Sequence, residues 1–139
     1  MTQMINIRKR RISDLSFIIR VIRGSFPYWY TRLPFLFLPT FIAELDNRRA
    51  GFITVLLLRN HGKIMLLAVD KHSCKQNVGK FLLKFALEYF KKLKTTYCTA
   101  MVRVDNKEGL AFYNKVDFRV INIIHRPFLR SVYLIKKDL

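Results

Sequence analysis

An α/β domain built on one mostly antiparallel sheet is what this sequence predicts, and three observations predict it. A chain of 139 residues, 51% hydrophobic and 14% aromatic, is long enough for one full hydrophobic core and leaves no room for a second domain. Between Thr40 and Val69 three strand-like runs follow one another with only short turns between them. From Val78 onward the apolar residues then switch to a helical period.

Taken in order, Met4 to Arg10 reads as a first strand. Ser13 is placed to cap a helix whose Leu15, Ile18, Ile19 and Ile22 share one face, with Gly24 as its stop. Ser25 to Pro39 crowds six aromatic residues among three prolines, too broken for a strand and too apolar for an ordinary loop, so a short helix or lid over the core is expected. Thr40 to Leu45 and Ala50 to Leu58 form a hairpin through Asp46-Asn47, and a second turn at Arg59 to Gly62 leads into Lys63 to Val69. The next helix has Val78, Phe81, Leu82, Phe85, Ala86, Tyr89, Phe90 and Leu93 on its apolar face and Lys80, Lys84, Lys91 and Lys92 opposite. A strand at Cys98 to Val104, a short helix at Lys107 to Lys115 capped by Asp105 or Asn106, and closing strands at Phe118 to Ile124 and Val132 to Lys136 complete one domain over residues 1–139.

The 26 Lys and Arg against 9 Asp and Glu give a formal +17, a field that attracts nucleotide cofactors, nucleic acid, acidic peptides or acidic membrane without choosing among them. Two cysteines, Cys74 and Cys98, without C-x-x-C spacing or a His-rich neighbourhood, argue against a disulfide framework and against a metal site, and a cytoplasmic location is expected. The start has no apolar stretch of the kind a signal peptide needs, and Leu33 to Ile42, interrupted by two prolines, is about half the length of a membrane span, so none is expected.

Two segments carry chemistry. In Lys63 to Leu83 a strand, a short polar loop and a helix start bearing Gly79 bring exposed backbone N–H groups and a helix dipole to one place, an anion site able to hold a pyrophosphate. The second segment, Val102 to Phe118, reads VRVDNKEGLAFYNKVDF.

That second segment resembles the GNAT N-acetyltransferases, which show V-R-x-x-N at a strand end, then N-x-x-A-x-x-(F/L)-Y, then a glycine before a phenylalanine. The chain supplies Val102, Arg103, Asn106, Phe112, Tyr113 and Phe118, with Gly109 at the alanine position and Asp117 at the glycine position. In the loop pattern (R/Q)-x-x-G-x-(G/A) it has Cys74, Lys75, Gln76, Asn77, Val78 and Gly79, matching only at the last glycine, and Asn77 is the residue type best able to keep a left-handed turn there. The tail Ser131 to Leu139 resembles the closing strand of the branch that acetylates protein N-termini and ribosomal-protein alanines.

The resemblance implies a GNAT fold: a mixed, mostly antiparallel central sheet, splayed between its fourth and fifth strands and flanked by helices. It also implies acetyl-CoA as donor. Leu67, Ala68 and Val69 would offer backbone to the pantetheine arm and an N–H to the acyl carbonyl, Cys74 to Lys80 would hold the phosphates, and Asn106 would complete the cofactor site. Tyr113 would protonate the departing thiolate. The glutamate base common in the N-terminal branch is replaced by Met101, leaving Glu44 and His125 as candidates, directly or through water. Phe26, Tyr28, Tyr30 and Tyr133 are candidates for the acceptor groove.

Without a strong base, a primary amine must arrive neutral. A chain-terminal amine with a pKa of 7.7 to 8.0 is roughly a tenth neutral at pH 7, a lysine near 10.4 only about 0.04%. The acceptor expected is therefore the α-amine of a protein or peptide, and +17 also disfavours polyamines and Lys-rich tails. A different class of function competes: a scaffold of this fold that has lost catalysis and binds nucleic acid through its charge and the run Arg8-Lys9-Arg10-Arg11. Either a monomer or a homodimer fits the sequence.

Overall fold

The computed structural model describes residues 4–26, 28–73 and 77–139. The strands are β1 (Ile5–Lys9), β2 (Thr40–Leu45), β3 (Arg48–Leu58), β4 (His61–Val69), β5 (Tyr97–Arg103), β6 (Arg119–Ile124) and β7 (Val132–Asp138), and the α-helices are α1 (Leu15–Ser25), α2 (Val78–Lys92) and α3 (Lys107–Asn114). The seven strands are ordered β1-β2-β3-β4-β5-β7-β6, with β4 and β5 parallel and the β1-β2, β2-β3, β5-β7 and β6-β7 pairs antiparallel. This is the mixed, mostly antiparallel sheet that the sequence leads one to expect. The β4-β5 ladder has four pairs, from His61↔Tyr97 to Ile64↔Ala100, and stops there although β4 continues to Val69 and β5 to Arg103. The chain divides into two compact units, one running up to Leu56 and resuming over Met65–Tyr89, the other made of Leu57–Ile64 and Phe90–Leu139.

In the first unit, α1 lays Phe17, Ile18, Val21 and Ile22 on Ile42, Phe52, Leu66 and Ala68. Each of these side chains larger than alanine stabilises by roughly 1.5–3 kcal/mol when fully buried. The aromatic segment forms a 3-10 helix, Trp29–Phe37, whose Trp29, Phe35 and Leu36 pack on that cluster together with Phe26. The Arg23 guanidinium lies over the Trp29 ring, 5.2 Å from its centre. The β2-β3 turn is left-handed at both central residues, Asp46 (φ 49°) and Asn47 (φ 67°), as a two-residue hairpin of this composition demands.

The entry to α1 differs from the sequence expectation. A 3-10 turn, Ile12–Asp14, precedes the helix, and the organising residue is Asp14 rather than Ser13. Fully buried, its carboxylate accepts two bonds from Arg8 (2.7 and 2.9 Å), one from Arg49 Nε (2.8 Å) and one from the Arg11 backbone N–H (2.7 Å). Arg8 also donates from Nε to Glu44 at 2.8 Å. Charge-assisted bonds from Arg8, first, and from Arg11 and Arg49 hold the Asp14 carboxyl well below the usual carboxylate range against the opposing effect of burial. At its other end α1 runs one residue past Gly24.

On α2 the buried positions are Val78, Leu82, Leu83, Ala86, Leu87 and Phe90, whereas Phe81 and Leu93 are each 45% exposed. The apolar stripe is thus centred about one residue further on than the repeat of aromatic residues suggests, with Leu83 and Leu87 taking the places given to Phe81 and Leu93. Phe85 and Tyr89 at the stripe's edge meet Phe41 ring to ring at 4.9 and 5.2 Å.

In the second unit, β5 pairs with β7 over seven residues and β7 with β6 across a bulge at Val120/Asn122. Asn106 caps α3 by accepting the Gly109 N–H at 2.9 Å. Three residues past the helix Asp117 is left-handed (φ 68°), so the position given to glycine by the resemblance keeps the conformation that a glycine would supply.

Candidate active site

The first unit carries the expected donor-binding groups. Residues Leu67, Ala68 and Val69 end β4, with Ala68 buried and its neighbours half-buried. Their path depends on Gly51: a β carbon there would lie 2.7 Å from the Ala68 carbonyl oxygen and 3.2 Å from Val69 Cα, so only glycine lets β3 pass this close. The Asp70 N–H then closes on the Ala50 carbonyl at 2.7 Å. Cys74, Lys75 and Gln76 lie outside the described residues. Asn77 is left-handed (φ 59°), the conformation anticipated for the residue replacing the motif glycine.

Asn77 accepts the N–H of Phe81 at 3.1 Å, the first bond of α2. The backbone N–H groups of Val78, Gly79 and Lys80 therefore precede that bond and carry the positive end of the helix dipole, a donor set that fits a phosphate-bearing cofactor. Phe26 is half-buried, while Tyr28 and Tyr30 are exposed and meet edge to face at 6.4 Å. Glu44 is half-buried on β2, its carboxylate held by Arg8.

The second unit carries the expected acid. Tyr113 on α3 is buried between Phe112 and Phe118, with ring centres 5.2 and 5.1 Å away. Burial pushes its phenol above the ordinary value, and Cys98 on β5 adds to the rise. Cys98, fully buried, is itself pushed up to about 12 by burial, which the charge of Lys137 only partly offsets. Both groups hold their protons across the physiological range. Tyr133 on β7 pairs with Val102, so strand alternation puts it on the face of the sheet shared by Cys98, Ala100 and Val102.

Asn106 spends its side-chain oxygen on capping α3. His125 is exposed beyond β6, with Nδ1 3.0 Å from the Ser131 hydroxyl. Met101 is 47% exposed on β5, the strand face opposite to Cys98 and Val102. Gly51 and Asp14 were not singled out from the sequence. Gly51 has no motif around it, and the partners of Asp14 come from residues as far as Arg49, so neither has a local signal. Among the described residues no cluster of His, Cys, Asp and Glu could hold a metal ion, and no helix is long and apolar enough to cross a membrane.

Comparison with known proteins returns the same chemistry. Residues 10–118 match the acetyltransferase (GNAT) family. The chain is 32% identical to an uncharacterised N-acetyltransferase of Methanocaldococcus jannaschii, over 81% of this chain and 77% of that one. It is 27% identical to a spermidine N(1)-acetyltransferase of Thermoplasma acidophilum, over 84% and 89%. Among solved structures, Ard1 from Thermoplasma volcanium superposes with a TM-score of 0.87 at 20% identity, 97% of each chain being covered. The PaiA N-acetyltransferase from Thermoplasma acidophilum, solved with coenzyme A, superposes with a TM-score of 0.80 at 23% identity, covering 98% and 99%.

Proposed function

This chain belongs to the GNAT acetyltransferase family, and from that premise we propose that it moves the acetyl group of acetyl-CoA to the α-amine of a protein or peptide N-terminus. The donor and the reaction class follow from the family; the acceptor is our reading. A scaffold without chemistry gives way to that membership.

In the mechanism we propose, the N–H groups of Val78, Gly79 and Lys80 would hold the phosphates of acetyl-CoA and a backbone N–H near Leu67 or Ala68 would polarise its thioester carbonyl. The neutral amine attacks that carbon, the C–N bond forms, and the C–S bond breaks as the tetrahedral centre collapses. The amine loses one proton and the sulfur gains one, so the overall exchange needs a shuttle rather than a net base. Tyr113 would be that shuttle: its phenol, protonated before the reaction, would donate to the sulfur as negative charge develops there and be restored by the proton that the attacking nitrogen releases.

The observation that carries the choice of acceptor is Met101, an apolar side chain where the N-terminal branch commonly has its glutamate base. Glu44 is engaged by Arg8 and His125 by Ser131. Such a site favours the acceptor that is already neutral, which at pH 7 gives an α-amine an advantage of roughly two to three powers of ten over a lysine-like amine. A second reading, a polyamine acceptor, is favoured by the spermidine acetyltransferase relative.

One experiment separates them: coenzyme A release measured with a free-N-terminus peptide, the same peptide blocked at its N-terminus, and spermidine. Our reading expects the free peptide to lead in kcat/KM by at least tenfold and the blocked peptide to be inert. Spermidine turning over faster than every free peptide tried, across several N-terminal residues, refutes it.

A further inference from the structure

The described residues of the first unit line a second groove, which holds none of the donor-binding residues Leu67 to Val69 and Val78 to Lys80. A groove of about 710 Å³ is lined by Arg8 from β1, Arg11 from the connection after it, Arg20 and Phe17 from α1, and Arg48 and Arg49 from the β2-β3 hairpin. The chain has thirteen arginines and thirteen lysines, yet among the described residues five arginines and no lysine line this groove. Arginine differs from lysine in its planar fork, which matches phosphate bidentately.

Charge within the groove is not balanced. Asp14 and Glu44 are its acidic partners, and they are consumed by Arg8 and Arg49: Asp14 accepts from both, Glu44 from Arg8. Those bonds fix two guanidinium groups in place before any ligand arrives, which lowers the entropy cost of binding. Arg11, Arg20 and Arg48 are exposed and make no ion pair among the described residues; Arg20 lies over the Phe17 ring, 5.4 Å from its centre. Three uncompensated guanidinium groups on three different elements therefore border one groove whose floor they do not fill.

We propose that this groove binds the phosphodiester backbone of single-stranded nucleic acid, giving the enzyme a docking site separate from its donor and acceptor sites. A strand of RNA has a charge on every backbone unit, so it meets several guanidinium groups without ordering a side chain for each, as an acidic peptide would have to do. Its extended charge also draws on the whole +17, which a single small anion does not.

The test uses the intact protein and a fluorescent single-stranded uridine oligonucleotide of about twelve nucleotides, with binding followed by anisotropy between about 50 and 200 mM salt. Three contacts predict that Arg11→Gln/Arg20→Gln/Arg48→Gln flattens the slope of log K against log salt by about two and weakens binding at least tenfold at about 50 mM. The charge-matched variant Lys91→Gln/Lys92→Gln/Lys94→Gln, on and just after α2, should stay within about threefold of the parent. Acetyl transfer to a peptide should be unchanged in both. Should the arginine variant fold poorly, Arg48→Gln alone should flatten the slope by about 0.7. Equal loss in the two triple variants, undiminished RNA binding in the arginine variant, or displacement of the RNA by an oligoglutamate peptide as efficient per charge as unlabelled RNA would each overturn the assignment.

Discussion

Two buried acids, one in each compact unit, are treated in opposite ways. Asp14, in the first, is fully buried and ionised, surrounded by the guanidinium groups of Arg8 and Arg49 and the N–H of Arg11. Tyr113, in the second, is buried among aromatic rings and stays protonated, as does the thiol of Cys98. Burial alone pushes every acid towards its neutral form; what differs is whether donors have been supplied. Where three residues supply them, the acid is an anchor that fixes chain segments and arginines. Where rings surround it instead, the acid keeps its proton. The direction of a buried group's pKa thus reports which donors surround it.

The contrast breaks most violently at Asp14. Replacing it by Ala leaves Arg8 without its main partner and removes the cap of the 3-10 turn, so Asp14→Ala should cost about 3–5 kcal/mol in urea or thermal unfolding, a large share of a domain's total stability. Tyr113→Phe should do the reverse: folding is kept within about 1 kcal/mol, and kcat falls on the order of a hundredfold with the KM for acetyl-CoA nearly unchanged. Unaltered turnover would remove Tyr113 from the mechanism. Gly51→Ala tests the backbone instead. The contact with the Ala68 carbonyl must open by several tenths of an ångström, so we expect a loss of about 1–3 kcal/mol and a raised KM for acetyl-CoA.

The mildest effects lie in pH. Because the folded pKa of Asp14 is depressed, its contribution is complete above the unfolded value near 3.9 and is lost as pH falls through the folded one. The folded pKa values of Cys98 and Tyr113 are raised, so their contributions are complete below about 8.5 and about 10 and are lost as pH rises, for Cys98 up to about 12. Stability against pH should therefore bend at both ends. Cys98→Ala with Tyr113→Phe should flatten only the alkaline limb, and Asp14→Asn, if it folds, only the acid limb.

How much of this was legible in the residues depends on distance along the chain. The Asp46-Asn47 hairpin, the left-handed Asn77 and the capping of α3 by Asn106 each involve neighbours within three residues, and short-range chemistry specifies them. The motif around Tyr113 could be read because its spacing lies within one helix and the flanking strand. The stripe on α2 was read one residue off, since aromatic Phe81 and aliphatic Leu83 weigh alike in a periodicity count and only contact decides between them. The Asp14 network, the Gly51 approach and the arginine groove join segments tens of residues apart, which no local pattern encodes. The candidacy of Glu44 as a base turns on side-chain surroundings, since its carboxylate accepts from Arg8, thirty-six residues away.

The cation over the indole ring gives experimenters an optical handle. Trp29 is the sole tryptophan of the chain and stands in the aromatic segment that the sequence offers as a candidate acceptor groove, half-buried beneath Arg23. Selectively excited emission therefore reports on that segment alone: a peptide seated against it should shift the spectrum, whereas a ligand confined to the helix start at Val78 should leave the wavelength maximum in place.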